Sequence, residues 1–156
     1  MTPARQATEG DCDEIVRLRA LMYESMGTVS SQLTTWRAVT GEVLRAELGS
    51  DHPEVMVYVI DADDGGLAAC ATGMVHRRLP SPTNPTTLAG HVSNVCTDTA
   101  YRRRGYARAC MTGLLNWFAT RGITRVDLRT SAEAEPLYES LGFRRTSDPA
   151  MRREIG

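Results

Sequence analysis

The sequence predicts an α/β fold with a mixed sheet, built as one domain over residues 1–156. Amphipathic helical segments alternate with β-branched apolar runs along the chain. In the second half a strand, a helix and another strand follow one another, which is the pattern of a parallel crossover unit. A domain of this size buries roughly 70% of its unfolded surface, so it needs neither metals nor disulfides to hold a core.

The individual elements are predicted from apolar spacing and from the residues that start and stop them. Apolar side chains at helical spacing from Ile15 to Met22 mark the first helix, with Asp11 as its N-cap and Gly27 near its end. Two aspartates and two glycines at 63–66 favour a hairpin turn. In chain order we expect a strand over 4–7, helices over 11–27 and up to 49, strands over 54–61, 67–79 and 91–97, a helix up to 121, a strand over 125–129, a helix over 133–141 and two short terminal strands.

The stretch 102–107 is the most informative part of the chain, because it joins the strand that ends at Thr97 to the following helix. It reads Arg-Arg-Arg-Gly-Tyr-Ala. The first N–H groups of a helix lack intrahelical partners and carry about half a positive charge, so this junction can bind a phosphate. Gly105 lets the backbone approach a diphosphate closely, and Ala107 leaves room on the same face. The arginines strengthen the attraction for an anion.

Two other kinds of phosphate-binding turn are excluded by inspection. No G-x-G occurs in the chain, and all 18 basic residues are arginine, so there is no lysine. These absences exclude the dinucleotide fingerprint and the P-loop. The turn therefore indicates a ligand other than NAD or a nucleoside triphosphate held by a P-loop.

The turn resembles the R/Q-x-x-G-x-G/A signature of the GNAT superfamily of acyl-CoA-dependent N-acetyltransferases, with Arg102, Gly105 and Ala107 at its fixed positions. Upstream, residues 94–98 resemble the family's fourth strand. Downstream, residues 134–143 resemble its A-x-x-L-Y-x-x-x-G-F segment. The three stretches follow one another in the family's order, and together they cover roughly residues 90–145.

This resemblance implies a three-layer fold, in which a central twisted mixed sheet is splayed between its fourth and fifth strands and has helices on both faces. It also implies acetyl-CoA as the acyl donor, with the diphosphate on the arginine turn and the pantetheine arm along the fourth strand. Ser131 stands where many members have an asparagine that contacts CoA, and Arg103 where many have glycine. The implied cofactor-binding residues are Val95, Cys96, Thr97, Arg102, Arg103, Arg104, Gly105, Tyr106, Ala107 and Ser131.

The resemblance assigns a catalytic role to Tyr138, which lies where the family has a tyrosine that protonates the departing CoA thiolate. A phenol and a thiol have reference pKa values of about 10 and about 8.5, so the proton transfer between them is nearly matched. A main-chain N–H of Val95 or a neighbour would stabilise the oxyanion. The alternative is a tyrosine that only packs its ring and hydrogen-bonds its hydroxyl.

A general base is needed because the attacking amine must be neutral. His91 is the first candidate, since its strand faces the expected cleft. Asn94 on the same strand and His76 on the neighbouring strand are alternatives that would act through a water, and a structural role for either histidine stays open. Cys96 invites a covalent route, but the resemblance favours direct transfer in a ternary complex, and a strand cysteine commonly packs as a small hydrophobe.

Composition excludes several other classes of function. A net charge of −1 and a pI near 6.3 lack the broad positive field of non-specific nucleic-acid binders. The acidic clusters at 11–14 and 61–64 fit a helix N-terminus and a hairpin turn, and no histidine or cysteine spacing supports a metal. Four cysteines without a C-x-x-C, and no recognisable signal peptide or membrane span, favour a reduced, cytoplasmic protein.

These features predict an acetyl-CoA-dependent N-acetyltransferase that acts on a primary amine of a small molecule or a peptide. A non-catalytic acyl-CoA sensor is the alternative. The acceptor itself is not readable from the sequence. We expect it to contact the stretch from Met22 to Trp36, which includes the polar residues 28–34, the loop over 80–88 and the terminal strands. The family resemblance also allows a homodimer.

Overall fold

The computed structural model describes residues 3–27 and 34–156. The polar stretch 28–34, expected to form a substrate rim, therefore lies almost entirely outside the described residues. Short 3-10 turns precede the first and third helices. The elements are β1 (Arg5–Gln6), α1 (Cys12–Ser25), α2 (Thr34–Leu48), β2 (Val55–Asp61), β3 (Leu67–Arg77), β4 (Leu88–Thr97), α3 (Tyr106–Thr120), β5 (Val126–Leu128) and α4 (Glu135–Ser140).

The five strands form one mixed sheet in the order β1-β2-β3-β4-β5. The first four are antiparallel to their neighbours, whereas β4 and β5 are parallel. Strand β5 pairs only with Gly90–Val92, so from Ser93 to Thr97 the outer edge of β4 has no strand partner among the described residues. The predicted α/β fold is confirmed, and the two strands separate where the resemblance implied a splay.

A β-bulge on β4 turns the strand at the start of this open edge. Thr72 of β3 pairs with Asn94 and the adjacent Gly73 pairs with Val92, which leaves Ser93 as the extra residue. Val92 consequently packs in the core beneath α3, while Asn94, two residues later, lies on the opposite face beside α1 and α2. Bulges often re-aim side chains next to functional sites, and this one directs Asn94 toward a cavity.

Helices cover both faces of the sheet, as expected for three layers. On one face α3 buries Leu114 and Phe118 against β3 and β4. On the other face α1 buries Ile15 and Leu18 against β3 and β4. The sheet therefore lies between two hydrophobic cores, and β4 and β5 diverge at one edge of it.

Glycines let α3 approach the sheet closely. A Cβ on Gly73 would lie 2.6 Å from a ring atom of Phe118 and 2.7 Å from Leu114, and a Cβ on Gly90 would lie 2.8 Å from the same ring. We expect Gly73→Val to lower the free energy of unfolding by about 2–3 kcal/mol, since overpacking displaces the helix. Urea denaturation measures this. Gly41→Ala is the control, because its Cβ would meet only the mobile end of Arg45 and alanine favours the helix.

Arg5 joins the start of the chain to the end of β2 through two carboxylates. Its guanidinium donates to Asp11 at 2.9 Å and to Asp61 at 2.7 Å. The hydrogen bonds from Arg5 hold the pKa of both carboxyls below their ordinary value. Lowered carboxyl pKa values give a stabilisation that is present above the unfolded pKa and is lost as the pH falls through the folded pKa.

Removing this arginine should therefore cost stability in a pH-dependent way. We expect Arg5→Gln to lower the free energy of unfolding by about 1 kcal/mol at pH 7, because the pair is partly exposed. The difference from wild type should shrink below about pH 4, where the carboxyls become protonated. Melting temperatures of wild type and Arg5→Gln across pH 3–7 would measure this difference in stability. Arg45→Gln is the matched control, since its partner Asp13 is 92% exposed, and an equal loss there would contradict the assignment.

The two predicted terminal strands are wrong. In the described chain no strand follows β5. The segment over 144–156 is rich in charged residues and contains Pro149, and its apolar side chains Met151 and Ile155 are 91% and 93% exposed. No alternation of buried and exposed residues marks a strand there. The outer side of β5 instead borders an open groove of about 680 Å³ that extends to α4.

Candidate functional site

The arginine turn adopts an unusual backbone. Gly105 is the N-cap of α3 with φ +76°, and Arg103 has φ +63°, so two residues of the turn are left-handed. Left-handed residues in turns orient successive N–H groups into an anion-binding concavity. The first α-helical bond of α3 runs from the Ala109 N–H to the Gly105 carbonyl, so the N–H groups before it lack intrahelical partners. A Cβ added at Gly105 would have no atom within 4 Å, so the space in front of the turn is open.

Aromatic rings contact one of the three arginine side chains of this turn. The Arg104 guanidinium carbon lies 5.2 Å from the centre of the Tyr101 ring, and that ring stacks on Tyr106 with centroids 6.5 Å apart. Arg102 and Arg103 are exposed. The turn therefore presents an arginine fixed by cation–π contact beside two arginines that are accessible to a ligand.

An ion-pair network attaches the base of the turn to α1. Arg17 donates to Asp98 at 2.8 Å, to Glu14 at 2.6 Å and to the Leu67 carbonyl at 3.0 Å. Asp98 also accepts from the Ala100 N–H at 3.2 Å, which caps the 3-10 turn before the arginines. The hydrogen bonds from Arg17 hold the pKa of Asp98 and Glu14 below their ordinary values, so both carboxylates are charged at neutral pH. The turn is thereby held in register with the end of β4.

Val95, Cys96 and Thr97 lie on the open part of β4, whose outer edge has no strand partner in the described chain. The Cys96 thiol is turned away from that edge and donates to the Leu18 carbonyl at 3.0 Å. Burial raises the pKa of this thiol, so it is protonated at neutral pH. Cys96 is a core residue on the α1 side and has the wrong protonation state for a nucleophile.

Tyr138 lies on α4 and is only 8% exposed. It packs edge-on against Phe143, with ring centroids 6.0 Å apart, in the core that also contains Val92 and against which Val95 packs. Its side chain borders the groove beside β5. Burial raises the pKa of the phenol, so Tyr138 is protonated at neutral pH and is available as a proton donor.

The candidate bases occupy different places on the sheet. His91 is half-buried, opposite Met74 on β3 and Asp127 on β5. His76 is exposed near the far end of β3, away from the arginine turn. Asn94 is 2% exposed, and its Nδ2 donates to the Cys70 sulfur at 3.6 Å. Its Oδ1 is buried and has no hydrogen-bond partner among the described residues.

Ser131 lies in the turn before α4. Its hydroxyl accepts from the Ala134 N–H at 3.3 Å, and its carbonyl accepts from the Glu135 N–H at 3.1 Å. Both groups therefore start the helix that carries Tyr138. The side chain is exposed, so the structure gives Ser131 a local structural role alongside the predicted contact with CoA.

Sequence reasoning missed a cavity of about 190 Å³ on the α1 and α2 side of the bulge. Its walls are largely aliphatic, and its polar groups come from α1, α2, β3 and β4. The loop over 80–88, expected to contact the acceptor, does not line it. The lining residues are Ile15, Arg19, Val39, Thr40, Val43, Leu44, Val55, Thr72, Met74, Ser93 and Asn94.

In the structure the exposed apolar side of α2 marks this cavity, although its exposure could not be read from the sequence. Val39 and Val43 belong to the apolar side of α2, yet they are 52% and 48% exposed, as is Met74 at 41%. Apolar side chains that remain exposed on one side of a helix form an apolar surface outside the core, and such surfaces often mark ligand-binding sites. Arg19 on α1 could not be distinguished from the neighbouring Arg17 by spacing alone.

Residues 3–27 and 34–156 offer neither a metal site nor a membrane-spanning helix. Within them no cluster of three histidine, cysteine, aspartate or glutamate side chains is arranged to hold a metal ion. Nor does any described helix combine the length and the apolar character that crossing a membrane requires.

Known proteins resemble this chain both in sequence and in structure. Residues 16–143 match the model of the acetyltransferase (GNAT) family. Glucosamine 6-phosphate N-acetyltransferase 1 of Oryza sativa subsp. japonica is 28% identical over 150 residues, which cover 90% of this chain and 88% of that protein.

Solved structures show the same fold. A GCN5-related N-acetyltransferase from Ralstonia eutropha JMP134 superposes with a TM-score of 0.84 at 24% identity, covering 99% of both chains. A predicted acetyltransferase from Clostridium acetobutylicum, solved with acetyl-CoA, also gives 0.84 at 20% identity, covering 98% of this chain and 96% of that one. The family match spans the open strand, the arginine turn and the tyrosine helix, and the chain therefore belongs to the GNAT family of N-acetyltransferases.

Proposed function

We propose that this protein transfers the acetyl group of acetyl-CoA to a primary amine of a small molecule, by direct attack in a ternary complex. The observation that carries this proposal is the open edge of β4, which leads directly into the arginine turn. A strand edge without a partner offers main-chain hydrogen bonds to an extended ligand, and the turn that follows offers positive charge to a diphosphate. The cavity beside Asn94 is large enough for a small amine.

The chain's own groups fit acetyl-CoA, which supplies the activated acetyl group as a thioester. The N–H groups at the start of α3 and the guanidinium groups of Arg102 and Arg103 would hold the diphosphate. The main chain of Val95, Cys96 and Thr97 would pair with the pantetheine arm. An N–H of this segment would donate to the thioester carbonyl oxygen as it gains charge, which is a contribution of roughly 3 kcal/mol.

Proton movements follow from the same residues. The amine nitrogen attacks the carbonyl carbon, the carbon–sulfur bond breaks, and the Tyr138 hydroxyl gives its proton to the leaving sulfur. The proton released by the amine must go to a base, and His91 acting through a water remains the first candidate for that base. Direct transfer is supported by the Cys96 thiol, which is buried, neutral and directed toward α1.

The decisive experiment is a thiol-release assay with acetyl-CoA and a panel of amines. The panel should contain small amines, amino sugars and peptides with free N-termini. Glucosamine 6-phosphate should be tested early, because the rice relative is named for it. Turnover on a small amine would support the proposal. Tight CoA binding with no turnover on any amine would instead favour a non-catalytic acyl-CoA sensor.

A further inference from the structure

We propose that the cavity beside the bulge binds an acceptor amine that also carries an anionic group, a phosphate or a carboxylate. Arg19 pairs with the anionic group, and the Asn94 Oδ1 accepts a hydrogen bond from the amine. This inference rests on the proposed function and names the acceptor class of that site. Its evidence comes from the charge balance of the cavity and from a buried atom that lacks a partner.

The residues that line the cavity carry one positive charge and no negative charge. Arg19 is the one charged residue among the lining residues, and none of them is acidic. A partly enclosed positive charge attracts an anion, and this lining offers no group that would hold a second ammonium of a polyamine.

Arg19 is held in place by aromatic residues and has no acidic partner in the described chain. The ion pairs found there use Arg5, Arg17, Arg37, Arg45 and Arg145. Arg19 instead donates to the Tyr23 hydroxyl at 3.0 Å and lies 5.2 Å from the centre of that ring. Tyr23 in turn meets Trp36 edge-on at 5.6 Å. A guanidinium has five N–H donors, so several remain for a ligand.

Asn94 supplies the second, independent observation. Its side chain is almost fully buried and borders the cavity, and its Oδ1 has no partner within the described ranges. Burial holds the pKa of Cys70 well above its ordinary value, so the thiol stays neutral and occupies the Nδ2 end of the amide. A buried acceptor without a donor is unfavourable unless a ligand brings an N–H, which a primary amine does.

The location of Asn94 suits the chemistry. It follows the bulge at Ser93 and directly precedes Val95, on the part of β4 whose outer edge has no strand partner in the described chain. An amine held at Oδ1 would therefore lie next to the strand expected to hold the thioester. Exposed aliphatic groups of Val39, Val43 and Met74 form the other wall and would contact the carbon skeleton of the acceptor.

The test uses matched pairs of acceptors that differ only in the anionic group. Glucosamine 6-phosphate is compared with glucosamine, and leucine with leucinamide, by thiol release in wild type, Arg19→Met and the surface control Arg45→Met. We expect wild type to prefer the anionic member of at least one pair, and that pair identifies phosphate or carboxylate. Arg19→Met should raise KM for that anionic member about 10- to 100-fold, and change KM for its neutral analogue by less than about threefold. Arg45→Met should change neither.

A second variant tests the amine contact. Asn94→Leu keeps a side chain of similar size but removes the acceptor atom, so kcat/KM should fall for anionic and neutral amines alike. Equal effects of Arg19→Met on both members of each pair, or a wild-type preference for the neutral members, would overturn the inference while leaving acetyl transfer intact.

Direct binding separates failure of the inference from failure of the proposed function. If no amine is acetylated, glucosamine 6-phosphate and leucine can be titrated by calorimetry into the protein saturated with CoA. Binding that Arg19→Met weakens about tenfold or more would support the anion site without turnover. Absence of binding by both anionic amines would overturn it.

Discussion

Replacing Tyr138 by phenylalanine is expected to lower kcat about 100-fold or more, while the Kd for acetyl-CoA stays within about twofold of wild type. The phenol is the predicted donor of the proton that the CoA thiolate accepts. Burial raises the pKa of Tyr138, so the proton is present throughout the neutral range. Phenylalanine removes only the hydroxyl, and the ring packing against Phe143 is retained. The loss should therefore fall on the chemical step rather than on binding or folding.

The control for this variant is Tyr58→Phe. Tyr58 lies on β2, and its hydroxyl accepts from the Gln6 side chain at 3.2 Å. The same chemical change there should leave kcat unaltered. Steady-state kinetics with saturating acetyl-CoA, combined with CoA titration by calorimetry, separates the two constants. An unchanged kcat in Tyr138→Phe would remove Tyr138 from the mechanism and leave it as a packed core residue.

The dependence of kcat on pH provides a second test of Tyr138 as the proton donor. A donor with a raised pKa supports catalysis below that pKa and loses its proton as the pH rises through it. In wild type we expect kcat to fall only above about pH 10, the ordinary pKa of tyrosine. Tyr138→Phe should lack this alkaline decrease. If both proteins showed the same decrease, another group would be responsible for it.

The sequence predicted the parts of the structure that local rules determine. Apolar spacing and stop residues placed every helix within a few residues of its observed bounds, and the glycine turn at 63–66 did join two antiparallel strands. The position of the arginine turn between β4 and α3 is confirmed, and the structure adds that the glycine at its end is left-handed. These features depend on residues that are close together in the chain.

Features that depend on long-range pairing were not predictable in this way. The bulge at Ser93 is defined by the register between β3 and β4, and Ser93 itself carries no turn signal. Arg103 has a positive φ, which is a conformation that usually requires glycine. Because the residue is an arginine, nothing in the sequence indicated this second left-handed position in the turn. The two terminal strands were predicted as the last elements of the chain, although residues 144–156 lack the alternation that a half-buried strand requires.

The acceptor cavity shows the same limit in the functional site. Arg17 and Arg19 are two residues apart on α1 and look equivalent in the sequence. In the structure Arg17 forms ion pairs with Glu14 and Asp98 and so fixes the arginine turn. Arg19 borders the cavity and has no acidic partner in the described chain. Only the packing of α1 against the sheet separates a structural arginine from one that is available to a ligand.

Replacing Gly105 by glutamate should reduce the affinity for acetyl-CoA about 100-fold or more, and calorimetry should detect no binding at micromolar protein. Two effects add. A carboxylate placed at the N-cap of α3 repels the diphosphate from the N–H groups that would hold it, and the side chain fills the open space in front of the turn. The left-handed φ of +76° also disfavours any residue with a Cβ, by roughly 1–2 kcal/mol.

Gly122→Glu separates these contributions, because Gly122 lies at the other end of α3 with φ +72° and equally open space. It carries the same backbone penalty and the same added charge, but it is far from the turn. We expect Gly122→Glu to lower the melting temperature and to bind acetyl-CoA normally, and Gly105→Ala to lose less affinity than Gly105→Glu. Retained affinity in Gly105→Glu would show that the diphosphate lies elsewhere, and the arginine turn would then be a solvated helix start.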